Sequence, residues 1–361
     1  MDFVLSEDHL TLQASAASFL DKEVNLSPLL KHGATVAEAG YDQLWAQITE
    51  LGWPGIVIPE SYGGLGMDLV DLCMIVGEMG RTLAPAPFFG TLAGAWAVEA
   101  AGSDAQKQMI LQDVAAGSLK LALALKGVSG QDIRITTTSN ETVLTGSKTF
   151  VVDAGSADKI VVRAEDGFYL IDATATGVSI DRLAWRDITR EVCTLTLTGV
   201  PATRLDGSDT DPWPFVRDRL YLVLAAESAG GTAETLRDTV EYAKQRTAFG
   251  RPIGAFQAIK HQLAEIAGTS ECATAAVQYA AWALSAGDAR GSLAAAMAQS
   301  YASETYKAAT HRNIQVFGAI GFTWEMKNHL YYKRARGNTE LLGAPRQQRE
   351  EIIQYLENEA A

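Results

Sequence analysis

The sequence has 361 residues, of which 47% are hydrophobic and 20% are charged. This is the composition of an ordinary globular protein, and the length predicts two or three domains. The 43 acidic residues outnumber the 30 basic ones, which gives a net charge of −13. Such a charge argues against a nucleic-acid-binding protein, whose affinity depends on neutralising phosphates. It still allows a local basic pocket for one phosphorylated ligand.

The sequence predicts a cytoplasmic protein with no membrane span. Its first ten residues, MDFVLSEDHL, carry acids where a signal peptide needs a basic segment. No apolar run approaches the roughly 20 residues that a membrane-spanning helix needs. The three cysteines, Cys73, Cys193 and Cys272, are isolated. We therefore expect neither a disulfide framework nor a metal site.

Residues 1–117 are predicted to form an N-terminal α-helical domain. Apolar residues recur at helical spacing at Leu44, Ile48 and Leu51, and again in the stretch LVDLCMIVGEMG. Between these stretches lies GWPGIVIPESYGGLG, a loop punctuated by prolines and glycines.

The pattern changes near residue 118, where short β-branched or alternating stretches such as TVLTG, KIVVRA and CTLTLTG follow one another. Many short strands without helices between them favour an antiparallel sandwich or barrel, which we place at 118–212. From Phe215 onward the chain is rich in Ala, Leu, Glu and Lys. This predicts a C-terminal helical bundle at 213–361 and a multi-domain α+β protein as a whole.

Two breaks between the C-terminal helices are candidate ligand sites. RTAFGRPIGAFQ contains Arg246, Phe249 and Gln257. An arginine at a helix end beside a tight loop can hold a diphosphate through bidentate contacts. QVFGAIGFTWE contains Gln315 and Gly318, and a glycine lets a ligand approach the backbone closely. Taken alone, each segment is explained more simply by an ordinary helix end or turn.

The polar residues that follow have a simple explanation. Thr323 is a candidate N-cap for the next helix. Lys333, Arg334, Arg336 and Arg346 are taken as the solvated face of the last helices.

Five segments, in order along nearly the whole chain, resemble the acyl-CoA dehydrogenase family. They are MDFVLSEDHLTLQASAASFL, LGWPGIVIPESYGGLGMDLVDLCMIVGEMGR, GSKTFVVDAGSADKIVVRA, YAKQRTAFGRPIGAFQAIKHQLAEI and QVFGAIGFTWEMKNHLYYKRA. The resemblance implies a helical domain, a β domain and a four-helix bundle. It also implies α,β-dehydrogenation of an acyl-CoA thioester with FAD, in which a carboxylate removes the α-proton and flavin N5 accepts the β-hydride. An electron-transfer flavoprotein-like acceptor is implied as a partner.

Both positions at which family members carry the catalytic glutamate hold leucine here. Counting from Gly321 puts the usual position at Leu342, and counting back from Gly230 puts the alternative position at Leu220. Leucine has no group that accepts a proton, so we assign no catalytic residue. The nearby carboxylates that would have to substitute are Asp218, Glu227 and Glu340.

Only one half of the family's FAD site is recognisable. The loop that carries Thr-Glu-Pro in family members reads ALALKGVSGQD here. The position of the tryptophan that packs on the flavin in family members falls within KTFV at 148–151, which contains no tryptophan. The other half contacts the dinucleotide of a neighbouring chain. The residues that match it are Arg246, Phe249, Gln257, Gln315 and Gly318.

With only one half of the FAD site recognisable, the chain resembles the non-catalytic subunit of bacterial heteromeric acyl-CoA dehydrogenases. These enzymes are associated with bulky substrates such as degraded sterol side chains. In such a heterotetramer a related chain supplies the glutamate and the flavin-facing loop. Three alternatives stay open. The chain could be a self-sufficient homotetrameric dehydrogenase with an atypical base, a flavin-free relic that binds acyl-CoA or a protein, or a flavin oxidase or monooxygenase that needs no α-base.

Overall fold

The computed structural model describes residues 5–127, 133–137, 142–208 and 210–360, except the side chains of His32 and Ala360. The helices in these ranges are α1 (Glu7–Glu23), α2 (Ser27–His32), α3 (Val36–Ala39), α4 (Asp42–Glu50), α5 (Leu69–Thr82), α6 (Phe88–Ala101), α7 (Asp104–Ala115), α8 (Trp213–Gln245), α9 (Gln257–Ser285), α10 (Gly291–Phe317), α11 (Asn328–Leu341) and α12 (Pro345–Ala360). The strands are β1 (Leu121–Ala124), β2 (Lys126–Gly127), β3 (Arg134–Thr137), β4 (Thr142–Val152), β5 (Lys159–Ala164), β6 (Gly167–Asp172), β7 (Val178–Arg182), β8 (Val192–Pro201), β9 (Thr203–Arg204), β10 (Thr247–Ala248) and β11 (Arg251–Pro252). The predicted α+β order of helices, strands and helices is confirmed.

The chain folds into two compact units. Unit 1 comprises Met1–Ala34, Leu69–Ala84 and Asp218–Ala361. Unit 2 comprises Thr35–Asp68 and Pro85–Arg217. The domain boundaries expected from the sequence, at residues 117 and 212, stay a prediction. Within the part of the chain that the structure covers, no helix combines the length and the apolar character that crossing a bilayer requires.

Unit 2 contains two β-sheets. One has the strand order β1-β5-β6-β9, and the other has the order β2-β4-β8-β7 with β3 beside β4. The strand pairs in both sheets are antiparallel except that β1 runs parallel to β5. A parallel neighbour needs a long connection, and here the chain passes through β2, β3 and β4 of the other sheet before it returns. The predicted antiparallel β region is therefore confirmed, with one parallel pair that the strand pattern does not reveal.

Apolar side chains of both sheets share one core in unit 2. Ile160 and Val162 of β5 and Leu195 of β8 are completely buried in it. Helix α6 packs against this region so closely that a Cβ atom on Gly94 would lie 2.5 Å from the Cβ of Leu121. Glycine at this position is therefore a condition for the contact between α6 and β1.

In unit 1, helices α5 and α8 cross with their backbones in contact. A Cβ atom on Gly80 would lie 2.1 Å from the carbonyl oxygen of Glu227, and one on Gly230 would lie 1.8 Å from that of Gly77. No real Cβ atom approaches an oxygen so closely, so the crossing depends on the absence of side chains. The contact fixes the position of α8, the helix that carries Leu220 at one end and is followed by Arg246 at the other.

A buried ion pair lies beside this crossing. The Glu227 carboxylate of α8 pairs with the Arg334 guanidinium of α11, and the two residues are only 5% and 3% exposed. The expectation that Arg334 belongs to a solvated helix face was wrong. The spacing of charges along α11 does not reveal that α8 places the Glu227 carboxylate beside Arg334 in the protein interior.

Replacing Arg334 by methionine is expected to lower the free energy of unfolding by about 3–5 kcal/mol, because it leaves the Glu227 carboxylate buried without its cation. The double variant Glu227→Gln/Arg334→Met should recover most of this loss. The matched control is Arg346→Met, which removes an exposed pair with Glu350 and should cost less than about 1 kcal/mol. Urea unfolding measures all three, and equal losses for Arg334→Met and Arg346→Met would contradict the assignment.

Candidate functional site

The five candidate cofactor-binding residues lie at one end of the helices of unit 1. Arg246 directly follows α8, and Gln257 is the first residue of α9. Gln315 lies in the last turn of α10, and Gly318 directly follows that helix. Phe249 lies in the hairpin of β10 and β11, which connects α8 with α9.

This hairpin presents an aromatic ring to solvent. Ala248 pairs with Arg251, so Phe249 and Gly250 form the two-residue turn, with φ angles of 54° and 77°. Two-residue hairpins favour positive φ angles, which glycine adopts freely and phenylalanine does not. The Phe249 side chain is 95% exposed, and its ring lies edge-on to that of Phe256, 6.1 Å away. The turn thus leaves an apolar ring accessible to another molecule.

Two stacked rings join the ends of α8 and α10. The centroids of Tyr242 and Phe317 are 4.0 Å apart with an interplanar angle of 14°, and the Tyr242 hydroxyl donates to the Phe317 carbonyl at 3.5 Å. The backbone N–H of Arg246 donates to the Tyr242 carbonyl at 2.8 Å. Gly318 is the residue after Phe317. The structure therefore brings Arg246 and Gly318, far apart in sequence, to the same end of the bundle.

This end of the bundle has the chemistry to hold a diphosphate. Arg246 and Arg251 are exposed, and α9 begins at Gln257 without a side-chain cap. Uncapped N–H groups at a helix start attract anions, and guanidinium groups match phosphate oxygens. Gly318 has a φ of 71°, and no described atom lies within 4 Å of where its Cβ would be. The residues present therefore fit the diphosphate of a dinucleotide that reaches them from outside the chain.

Buried amides hold the two flanks of the segment between α10 and α11. Asn313 Nδ2 donates to Thr239 Oγ1 at 2.8 Å, and Asn313 Oδ1 accepts from Asn328 Nδ2 at 2.5 Å. All three residues are buried. Thr323 does not cap α11 as expected, because α11 begins at Asn328 without a side-chain cap and the Thr323 hydroxyl donates back to Ile320.

A charged cluster fixes the same segment to α8. Lys327 Nζ lies 2.7 Å from Glu234 Oε1 and 3.1 Å from Asp238 Oδ2. Arg237 also contacts Glu234 Oε1, at 2.7 Å. Burial opposes the charge on Lys327, but the hydrogen bond to Glu234 and the charges of both acids outweigh it and raise the pKa of Lys327. The ion pair therefore persists at neutral pH and holds the segment after Gly318 in place.

Leu220 and Leu342, which are expected to match the family's two glutamate positions, have no group that accepts a proton. Leu220 is 1% exposed. Leu342 directly follows α11 and packs against the cluster of Tyr221, Ala295 and Ala296. Its carbonyl accepts a hydrogen bond from Gln348 Nε2 at 3.2 Å. Leu342 therefore contributes packing to the bundle.

The three carboxylates named as substitutes are engaged elsewhere or exposed. Asp218, which is 4% exposed, accepts a hydrogen bond from the Ser292 hydroxyl. Glu227 is held by Arg334. Glu340 is exposed at the end of α11. Their contacts give none of the three a geometry that points to proton abstraction.

A fourth carboxylate, Glu351 of α12, is not apparent from the sequence. Its Oε1 accepts a hydrogen bond from the Tyr221 hydroxyl at 3.1 Å, and Tyr221 belongs to the cluster against which Leu342 packs. The two partners are 130 residues apart. The sequence around Glu351 gives no sign of a contact with a tyrosine so far away in the chain.

Among the described residues expected to face the flavin, Phe150 does not form an open ring platform. Phe150 lies where the β4–β8 register shifts between Lys148 and Val151, and it has a φ of 57°. Its ring meets Trp185 edge-on at 5.6 Å, and Lys126 Nζ lies 4.7 Å from its centre. The Phe150 ring is thus engaged at its edge by Trp185 and on one face by Lys126. In ALALKGVSGQD, residues 128–132 lie outside the described residues.

Comparison with known proteins identifies the family. Residues 6–118 match "Acyl-CoA dehydrogenase, N-terminal domain" and residues 216–356 match "Acyl-CoA dehydrogenase, C-terminal domain". Acyl-CoA dehydrogenase IpdE2 of Mycobacterium tuberculosis is 35% identical over 359 residues, which cover 98% of this chain and 97% of that protein.

Solved structures agree with this result. The ChsE4-ChsE5 complex from Mycobacterium tuberculosis contains a chain that matches with a TM-score of 0.89 and 25% identity, over 99% of each chain. A chain of the steroid ACAD Tcur3481-Tcur3483 matches with a TM-score of 0.87 and 28% identity, over 98% of this chain and 99% of that one. The chain therefore belongs to the acyl-CoA dehydrogenase family of FAD-dependent oxidoreductases.

Proposed function

We propose that this chain is the non-catalytic, FAD-clamping subunit of a heteromeric acyl-CoA dehydrogenase. The observation that carries the proposal is the leucine at both glutamate positions, Leu220 and Leu342, in buried or apolar surroundings. Without a carboxylate there, general-base catalysis worth roughly 10²–10⁴ in rate is missing from both family positions. A related chain supplies the base.

The exposed end of the bundle supports this division of labour. Arg246, Gln257, Gln315 and Gly318 are exposed, which leaves them available to a cofactor seated mainly in another chain. When bound, FAD would supply the acceptor for the hydride that leaves the β-carbon of the acyl group. This chain's own task is to hold the diphosphate through Arg246 and the start of α9.

The proposed substrate is a bulky acyl-CoA resembling a sterol side chain, and the proposed electron acceptor is an electron-transfer flavoprotein-like protein. One structural relative is a steroid ACAD, and another belongs to a complex of two different chains. Both support the substrate and the heterotetramer by analogy with those proteins.

A second candidate function is a self-sufficient dehydrogenase with an atypical base. The observation that favours it is the Glu351 carboxylate beside Tyr221, close to the Leu342 position. The two candidates differ in which chain loses activity when a carboxylate is neutralised.

Purified alone, the chain is expected to carry little flavin, because ALALKGVSGQD has no Thr-Glu-Pro and the Phe150 ring is already engaged by Trp185 and Lys126. Co-expressed with the related chain, it should form a heteromer with fewer flavins than chains, since sites form only where the partner's intact half meets this chain. Absorbance of released flavin and the molar mass from light scattering measure this ratio. A homotetramer with one FAD per chain and normal turnover would refute the proposal.

In that heteromer, Arg246→Ala is expected to weaken FAD binding by about 10–100-fold, because hydrogen bonds to charged groups contribute about 1.5–3 kcal/mol. Gln315→Ala should cost less, about 0.5–1.5 kcal/mol, since it removes a neutral hydrogen bond. Arg346→Ala, at an exposed arginine of α12, is the matched control and should retain its flavin. The measurement is flavin content after dialysis at increasing salt. Full retention by both Arg246→Ala and Gln315→Ala would show that these residues do not hold the cofactor.

Neutralising carboxylates of this chain is expected to leave turnover of the heteromer within a few-fold of wild type. The variants are Asp218→Asn, Glu227→Gln, Glu340→Gln and Glu351→Gln. The equivalent Glu→Gln change at the partner's family position should abolish activity. The assay is reduction of an artificial electron acceptor by an acyl-CoA.

Thermal melting accompanies each rate, because Glu227→Gln disrupts a buried ion pair and can lower activity through instability. Tyr221→Phe is the control for Glu351→Gln, since it removes the same hydrogen bond and keeps the carboxylate. A folded, FAD-loaded Glu351→Gln variant that loses about 10³-fold or more, with Tyr221→Phe active, would favour the self-sufficient enzyme.

A further inference from the structure

A group of exposed and half-buried rings and cations lies beside the Gln315–Gly318 end of the bundle, on residues that the proposed function does not use. We call it the Trp324 patch, and its members are Ile320, Phe322, Trp324, Tyr332, Lys333 and Arg336. Phe322 and Trp324 are 56% and 49% exposed, and Ile320 is 38% exposed. Large apolar side chains exposed side by side mark an interaction site more often than scattered ones do.

The rings of the patch are held in place from within. His329 is 2% exposed, and its ring lies 4.7 Å from that of Trp324 and 6.4 Å from that of Phe322. Phe322 in turn meets Tyr332 edge-on at 6.0 Å. Burial, together with the charge of Lys333, lowers the pKa of His329 to about 4, so this ring is neutral at pH 7. The surface is therefore preformed, and a partner does not have to order it.

Two cations lie over the rings. Lys333 Nζ is 4.7 Å from the centre of the Trp324 ring. Arg336 lies 5.4 Å from the centre of the Tyr332 ring and donates to its hydroxyl at 3.3 Å. The exposed Glu325 in the same segment carries the opposite charge. On a chain with a net charge of −13, this is a local surface that combines aromatic rings with positive charge.

We propose that the Trp324 patch docks an apolar segment with flanking carboxylates on the related dehydrogenase chain. This inference rests on the proposed function, because the heteromer supplies the occupant. Charge complementarity selects an acidic segment, since Lys333 and Arg336 would face its carboxylates. Aromatic side chains and arginine are also the residues that protein interfaces prefer.

Continuity with the proposed cofactor contact selects the related chain as the occupant. The 3-10 helix Gly318–Phe322 rises about 2 Å per residue, so Ile320 lies roughly 4 Å and Phe322 roughly 8 Å along the helix from Gly318. Lys327 and Asn328 fix the following segment to the rest of unit 1. A partner that brings a dinucleotide to Gly318 therefore comes within reach of Phe322 and Trp324.

Lysine acetylation, read by mass spectrometry, tests whether the patch is covered. The probe is acetic anhydride, applied to the isolated chain and to its complex with the related chain. Lys333 is expected to react at least ~10-fold more slowly in the complex, because a docked segment excludes the reagent from the patch core. Lys22, which is 82% exposed on α1, is the internal reference and should react equally in both samples.

Charge reversal tests the chemistry of the contact. Lys333→Glu and Arg336→Glu are each expected to raise the dissociation constant for the related chain ~10-fold or more, with a smaller effect at high salt. Lys333→Arg keeps the positive charge and should bind the related chain as the wild type does. Lys107→Glu on α7, with the same change in net charge, is the matched control. Thermal melting shows that each variant is folded.

The remaining outcomes separate the two proposals. A complex that forms while Lys333 reacts as in the isolated chain would overturn the docking proposal and leave the heteromer standing. Protection of Lys333 in a homo-oligomer that does not bind the related chain would show that a second copy covers the patch, against both proposals. A chain that neither binds the related chain nor protects Lys333 would likewise overturn both.

Discussion

Helix α8 is the element on which the rest of unit 1 depends, and its glycine crossing with α5 fixes it. Leu220 lies near one end of α8, and Arg246 directly follows the other end. At 1.5 Å per residue, the 26 steps from Leu220 to Arg246 span roughly 39 Å. A cofactor held at Arg246, as proposed, would therefore lie far from Leu220. This separation favours the view that the two ends of α8 serve different catalytic centres.

The contacts along α8 differ in the kind of stability that they supply. Near the crossing, Glu227 and Arg334 form a buried ion pair, which is costly to break and adds little over an apolar pair. Toward the other end, Lys327 binds Glu234 and Asp238, and Tyr242 stacks on Phe317. These later contacts act on the segment after α10. They position a loop whose glycine is open to solvent, which is what a shared binding site requires.

The sequence predicted the order of helices and strands well, because apolar periodicity and turn residues are local signals. It did not predict that β1 pairs in parallel with β5, since that partner follows three strands of the other sheet. The burial of Arg334 and the contact of Glu351 with Tyr221 were missed for the same reason. The motifs around Arg246 and Gln315 were found separately, and the structure shows through the stacked Tyr242 and Phe317 that they meet. The molecule that binds at this end of the bundle depends on the assembly of several chains, so the sequence of one chain does not identify it.

Packing around Leu342 explains why a single substitution would not place a working base at this position. Leu342 fills space beside Tyr221, Ala295 and Ala296, and the Tyr221 hydroxyl is already bound to the Glu351 carboxylate. A glutamate at position 342 would enter this apolar cluster near an existing acid. Desolvation and like charge would both raise its pKa and favour the protonated form, which cannot remove a proton. The leucine and its surroundings are thus adapted to each other, and recovering a base would require changes in α8, α10 and α12 together.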